Sequence, residues 1–175
     1  MTIATWIRPR RPTINAIAVG SSSWPIAFVV AWFLWPDSTA LVAPMDRISF
    51  ALQLAVAPAL FIALVMASCA RLLDTDQAED VFAGAESYGW KVNQRVLSNS
   101  IEQAAMFVPT LIGLSLRVDP AHTKILPILT TLWVTGRVFF WVGYRIKLPY
   151  RAVGFDWTFY SFAVAALWFV ATLFA

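Results

Sequence analysis

Cysteine, histidine and charge are what this sequence has least of. One cysteine, Cys69, occurs in 175 residues, which excludes an intrachain disulfide and any multi-cysteine metal site. A single histidine, His122, argues equally against a His-based zinc site. Asp, Glu, Lys and Arg together make up 13% of the chain, about half the share found in a soluble domain. There is no internal repeat and no low-complexity tail. What fills the chain instead is apolar: 59% of residues are hydrophobic, with nine Trp and thirteen Phe, and the mean hydropathy is +0.68. The apolar runs have helical lengths rather than the alternating ten-residue pattern of a barrel. The composition therefore predicts an all-α integral membrane bundle. The formal charge of +3 implies no nucleic acid, because the placement of the cations follows membrane topology.

Taken in order, residues 1–12 are basic and helix-poor, with Arg8, Arg10 and Arg11 accompanied by Pro9 and Pro12. Residues 13–35 read as a first, weaker span, interrupted by Gly20, Ser21, Ser22, Ser23 and Pro25. A cleaved signal peptide is the rival reading of such a start. It is disfavoured because the run ends in Leu34-Trp35-Pro36-Asp37 with no small-x-small site. A short polar loop with Pro44, Asp46 and Arg47 leads to a strong span over 48–70, which Pro58 is expected to kink. The longest loop, 72–93, carries Asp74, Asp76, Glu79, Asp80 and Glu86 without the spacing of a calcium loop. Further spans are expected over 92–116, 125–144 and 155–175, the last free of ionisable groups apart from Asp156 and Tyr160. Trp24, Trp35, Trp90 and Trp157 read as interfacial, Cys69 as apolar packing and His122 as solvated. The expected division is 1–47, a basic start with an extra helix, and 48–175, a four-helix transmembrane domain.

With a cytoplasmic N-terminus, nine cations fall inside (Arg8, Arg10, Arg11, Arg71, Lys91, Arg95, Arg145, Lys147, Arg151) and three outside (Arg47, Arg117, Lys124), as the positive-inside rule requires. The chemistry then gathers at one membrane edge. Arg95, Asn99 and Glu102 stand at i, i+4 and i+7, so a cation, an amide and a carboxylate share one helical stripe. Lipid would make that stripe expensive, so it must face other helices or a wet cavity. Glu102 and Arg137 lie at similar depth on antiparallel neighbours and could pair, as a structural ion pair or as a gate in a small transporter. Arg95, Asn99, Arg137, Tyr144 and Arg151 project to one level, and a surplus of cations there calls for an anion. Arg145 and Lys147 have a plainer reading, topology and anionic lipid, and Tyr144 and Tyr150 one as belt residues.

Two motifs carry a resemblance to a known family. One is Arg95-x-x-x-Asn99-x-x-Glu102. The other is Gly136-Arg137, then Gly143-Tyr144, Pro149-x-Arg151 and Gly154-Phe155. Together they resemble the membrane-associated proteins in eicosanoid and glutathione metabolism (MAPEG), over roughly 48–175. The resemblance implies a four-helix protomer that trimerises and binds glutathione as co-substrate between protomers near the cytoplasmic side. It implies that Arg95, Asn99 and Glu102 hold the tripeptide's carboxylates and amine. Arg137 and Tyr144 would line the same pocket, Arg71 would be a further anion-binding arginine, and Arg151 would activate the thiol. The activity implied is a glutathione-dependent transferase or peroxidase acting on lipophilic electrophiles. Phe140 stands where some members have Tyr or His, and the alternative is a non-catalytic lipid-binding or scaffold member.

Overall fold

The structure, a computed structural model, describes residues 11–36, 41–71 and 86–174, with Arg11, Ala70 and Arg71 described by backbone only. Six helices follow in order: α1 (Arg11–Leu34), α2 (Pro44–Leu54), α3 (Val56–Arg71), α4 (Tyr88–Arg117), α5 (Ile125–Ile146) and α6 (Arg151–Ala171). Single 3-10 turns, Pro120–His122 and Leu148–Tyr150, join α4 to α5 and α5 to α6. No strand occurs among the described residues. The protein is an all-α membrane bundle in which an N-terminal helix is added to a four-span core. Helices over Pro12–Leu34, Pro44–Cys69, Pro120–Ile146 and Leu148–Ala171 are long and apolar enough to cross a bilayer. The expected span 92–116 lies within the 30-residue α4, which is long enough to cross but less apolar, because it carries the polar stripe.

The second span breaks at Ala55, between α2 and α3. Pro58 explains the place. It has no N–H for the carbonyl four residues back, and its ring crowds that carbonyl; residue 54 is where α2 ends. The bond that resumes the ladder, Ala59 N to Ala55 O, is long at 3.5 Å. Helix α4 starts cleanly because the Ser87 hydroxyl accepts from the Trp90 amide at 3.1 Å.

Helix α5 is the centre of the bundle and packs most extensively on α6. Gly154 permits this. A Cβ there would run into the Phe140 and Gly136 backbones of α5, with the Phe140 Cα only 2.6 Å away. Small residues let helix backbones approach in lipid, where dispersion rather than the hydrophobic effect drives association. Phe107, Leu111, Leu114, Ile128, Leu129 and Trp133 form the core of one half, and Phe61, Val65, Val92, Val96, Phe140 and Tyr144 that of the other.

Helix α1 is continuous through Gly20 to Pro25. The residues that read as interruptions are its contact face. Ser21 meets Tyr160 (3.0 Å) and Asp156 (3.3 Å), Trp157 donates to Ser23 (2.9 Å) and Trp24 to Ser161 (3.1 Å). Trp24 and Trp157 are accordingly buried between α1 and α6; their expected interfacial position is corrected, because each indole N–H has its partner inside the bundle. At the far end of α1, exposed His122 stacks on Trp32 and meets the Trp168 ring at a tilt. Arg47 is buried, donating to the carbonyls of Ser115 (3.0 Å), Val42 (2.6 Å) and Leu41 (3.3 Å), and so ties the start of α2 to the end of α4.

Candidate functional site

Three elements separated in sequence bring the polar stripe, the α5 aromatics and the α6 arginine to one cleft of about 480 Å³. Arg95, Ser98, Asn99 and Glu102 of α4 form one wall, and Phe140 and Tyr144 of α5 also line it. Arg151, Phe155 and Asp156 of α6, with Thr13 and Ile17 of α1, form the other wall. The helical period accounts for the first wall: residues 95, 99 and 102 stay on one stripe while Val92, Val96, Ser100, Gln103 and Phe107 turn inward.

The turn between α5 and α6 positions Arg151. Lys147 is extended and ends α5; Pro149 opens a 3-10 turn, and α6 starts at Arg151. A Cβ on Gly143 would lie 2.6 Å from the Arg151 backbone nitrogen, so only glycine lets the turn fold this tightly onto α5. Arg151 Nη1 then donates to the Tyr144 hydroxyl, and its guanidinium stands 4.8 Å from the Tyr144 ring centroid. A cation over a phenol ring is held by the ring quadrupole as well as by the hydrogen bond. This use of one nitrogen leaves further N–H donors of Arg151 open to the cleft.

Arg137 lies behind the cleft rather than in it. It is fully buried, donating from Nε (2.9 Å) and Nη2 (2.6 Å) to the Thr158 hydroxyl and from Nη1 (2.8 Å) to Asn99 Oδ1. Its guanidinium also sits 4.5 Å from the Phe140 centroid. The possible Glu102–Arg137 pair does not form: the Arg137 donors are taken by Thr158 and Asn99, while Glu102 faces outward in the cleft wall. Among the described residues the one ion pair is Lys91–Glu86, 3.5 Å, at the start of α4. Arg145, read above as a topology residue, donates to Asn93 Oδ1 (2.9 Å), as does Trp141 Nε1 (2.9 Å), and so fastens the end of α5 to α4. Arg71 is the last residue of α3, but its side chain lies outside the described residues, as do Arg8, Arg10, Asp74, Asp76, Glu79 and Asp80.

Thr158, Asp156, Ser98, Thr13 and Ile17 were not foreseen as site residues. Asp156 did carry a signal, being the one acid in the last span. Thr158 carried none, since a threonine in an apolar helix ordinarily bonds its own backbone, as Thr158 also does to the Gly154 carbonyl at 2.7 Å.

Fold and site together define a multi-pass helical membrane protein with a cation-bearing cleft near one membrane edge. The MAPEG family model matches residues 49–173, and the chain belongs to that family. Helix α1 lies outside the matched residues. Searches of curated proteins and of solved structures gave no match.

Proposed function

We propose that the protein is a glutathione-dependent transferase or peroxidase acting on lipophilic electrophiles at the cytoplasmic membrane edge. The observation that carries this reading is the convergence of Arg95, Asn99, Glu102, Tyr144 and Arg151, from three helices, on one cleft. Glutathione offers two carboxylates, one ammonium and a thiol. Arg95 and Asn99 suit a carboxylate and the peptide backbone, Glu102 suits the ammonium, and Arg137 holds Asn99 in place from behind. Arg71 is the proposed further anion-binding residue.

Arg151 is the proposed activating group. A thiol ordinarily loses its proton near ~8.5, and bringing that to about 6.5 takes ~2.7 kcal/mol of preferential stabilisation of the thiolate. A fixed guanidinium in a partly dry site supplies energies of this order. Held over the Tyr144 ring, Arg151 pays no reorganisation when the sulfur arrives. The thiolate then forms a bond to an electrophilic carbon that enters from the bilayer. The leaving group departs with its electron pair, or, in conjugate addition, the carbon acceptor takes up a proton. A homotrimer, with the cleft closed by a neighbour, and a cytoplasmic N-terminus (in the inner membrane if the protein is bacterial) complete the proposal.

Isothermal titration of glutathione into purified protein tests it, with a thiolate absorbance scan on wild type, Arg95→Ala and Arg151→Ala. Binding abolished by Arg95→Ala and a thiolate signal abolished by Arg151→Ala are expected. Phe140 lines the cleft without a hydroxyl and favours the second reading, a lipid-binding member without thiol chemistry. Absence of binding at millimolar glutathione would select that reading.

A further inference from the structure

We infer that Asp156, held against α1, is a specificity-determining residue for the second substrate, which is a lipophilic molecule carrying a hydroxyl group. The inference rests on the glutathione reading above and deepens it. Two carboxylates line the cleft, Glu102 and Asp156, whereas glutathione has one ammonium. One carboxylate is therefore left for something else. Glu102 shares its wall with Arg95 and Asn99, the groups suited to the tripeptide. Asp156 stands on the opposite wall, which it shares with Phe155 and the α1 residue Ile17 as well as with Thr13 and Arg151; no ion pair joins it to Arg151.

Asp156 is 9% exposed and receives one hydrogen bond among the described residues, from the Ser21 hydroxyl at 3.3 Å. A carboxyl group offers about four acceptor positions. Its capacity is thus mostly unused on a wall that opens to the cleft, within a segment apolar enough to span the bilayer. Polar groups kept in such places are expensive and have partners. Asp156 has no cation within ion-pair distance among the described residues, so a hydroxyl donor from a bilayer-borne ligand completes it. Helix α1 sets this up: its Gly20 and Ser21 pack directly on Asp156, and α1 falls outside the residues shared with the family.

The test uses full-length protein in nanodiscs, each sample first titrated with glutathione. Two unreactive probes follow, 4-nonanol and its methyl ether 4-methoxynonane, which lacks the donor. Wild type should bind the alcohol about tenfold more tightly than the ether, the share of one hydrogen bond to a carboxyl group. Asp156→Leu should abolish that preference. Asp156→Asn, which keeps an acceptor and the Ser21 contact, should retain part of it and guards against a folding defect in the leucine variant. Equal binding of the two probes by wild type, no binding of either, or an unchanged preference in Asp156→Leu would overturn the inference while leaving glutathione binding standing. Loss of glutathione binding in both Asp156 variants would overturn it differently, by assigning Asp156 to the tripeptide. A wild type that binds no glutathione overturns the proposed function and this inference with it.

Discussion

Replacing Arg137 by lysine isolates what its guanidinium does, because the charge, and with it the burial penalty, stays. Arg137 reaches Thr158 with two nitrogens and Asn99 with a third, at 2.6 to 2.9 Å. A lysine ammonium is a single point on a flexible stem and lacks the planar fork that serves both acceptors at once. Losing two hydrogen bonds from a charged donor, at roughly 1.5 kcal/mol each, gives about 3 kcal/mol of destabilisation. Arg137→Met removes the fork and the buried charge together. The two effects oppose, so its loss should be smaller, about 1 kcal/mol or less. Reversible unfolding of the three proteins in mixed detergent micelles measures the order directly. Wild type above methionine above lysine is the expected ranking. A lysine variant within about 0.5 kcal/mol of wild type, or a methionine variant below lysine, would refute the account of Arg137 as a hydrogen-bonding fork.

Other parts of the fold respond in predictable directions. Gly154→Ala pushes a methyl group into the α5 backbone at Phe140 and Gly136; overpacking of this kind costs about 1–3 kcal/mol, read as a lowered midpoint in thermal unfolding. Arg47→Met removes donors to three carbonyls; a loss of about 3 kcal/mol, with faster proteolysis near residues 41–43, is expected. Pro58→Ala returns a donor to the Leu54 carbonyl and should join α2 and α3 into one straighter helix, seen as a longer spin-label distance between positions 48 and 68. Each is independent of the proposed chemistry.

Much of the membrane plan was legible because it depends on helical period and apolar run length. The family resemblance drew on the same residues, and the family model matches 49–173. What was not legible is which polar groups meet. Run length marked α1 as weak at Gly20–Ser23, yet in lipid small polar residues are good helix contacts, so the apparent weakness is the seam with α6. Trp24 and Trp157 looked interfacial because tryptophan usually is; nothing in the sequence indicated Ser161 and Ser23 as their partners. Arg47 looked like an ordinary loop cation, since backbone carbonyls, its actual partners, leave no trace in the sequence. Glu102 and Arg137 matched in depth, but depth does not specify azimuth, and Thr158 on α6 was the nearer acceptor.

The partners of Arg137 have a consequence for assembly. With its donors on Thr158 and Asn99, Glu102 has no ion-pair partner among the described residues and faces outward, as does Arg95. Gln94, Ser98, Ile101, Ala105 and Met106 are exposed on the same helix, so this polar stripe runs up an uncovered side of α4. An ionised group facing hydrocarbon at the middle of a bilayer costs about 2.5–3.5 kcal/mol even on the lenient insertion scale. Arg95 and Glu102 lie nearer the membrane edge, so each costs a fraction of that figure, which still counts against a domain's net stability of only about 5–15 kcal/mol. The face therefore requires cover that is polar or wet. Helix α1 does not supply it: α1 packs on α6 and reaches the cleft from the opposite wall. A neighbouring copy in the proposed trimer would supply it, and would close the cleft over a bound tripeptide by the same contact. On this argument, assembly and glutathione binding should be coupled. Charge-reversing Glu102→Lys should weaken both together, measured as the trimer fraction by native mass spectrometry and the glutathione affinity by titration. A variant that loses glutathione but assembles as well as wild type would show that the stripe is covered by something other than its own kind.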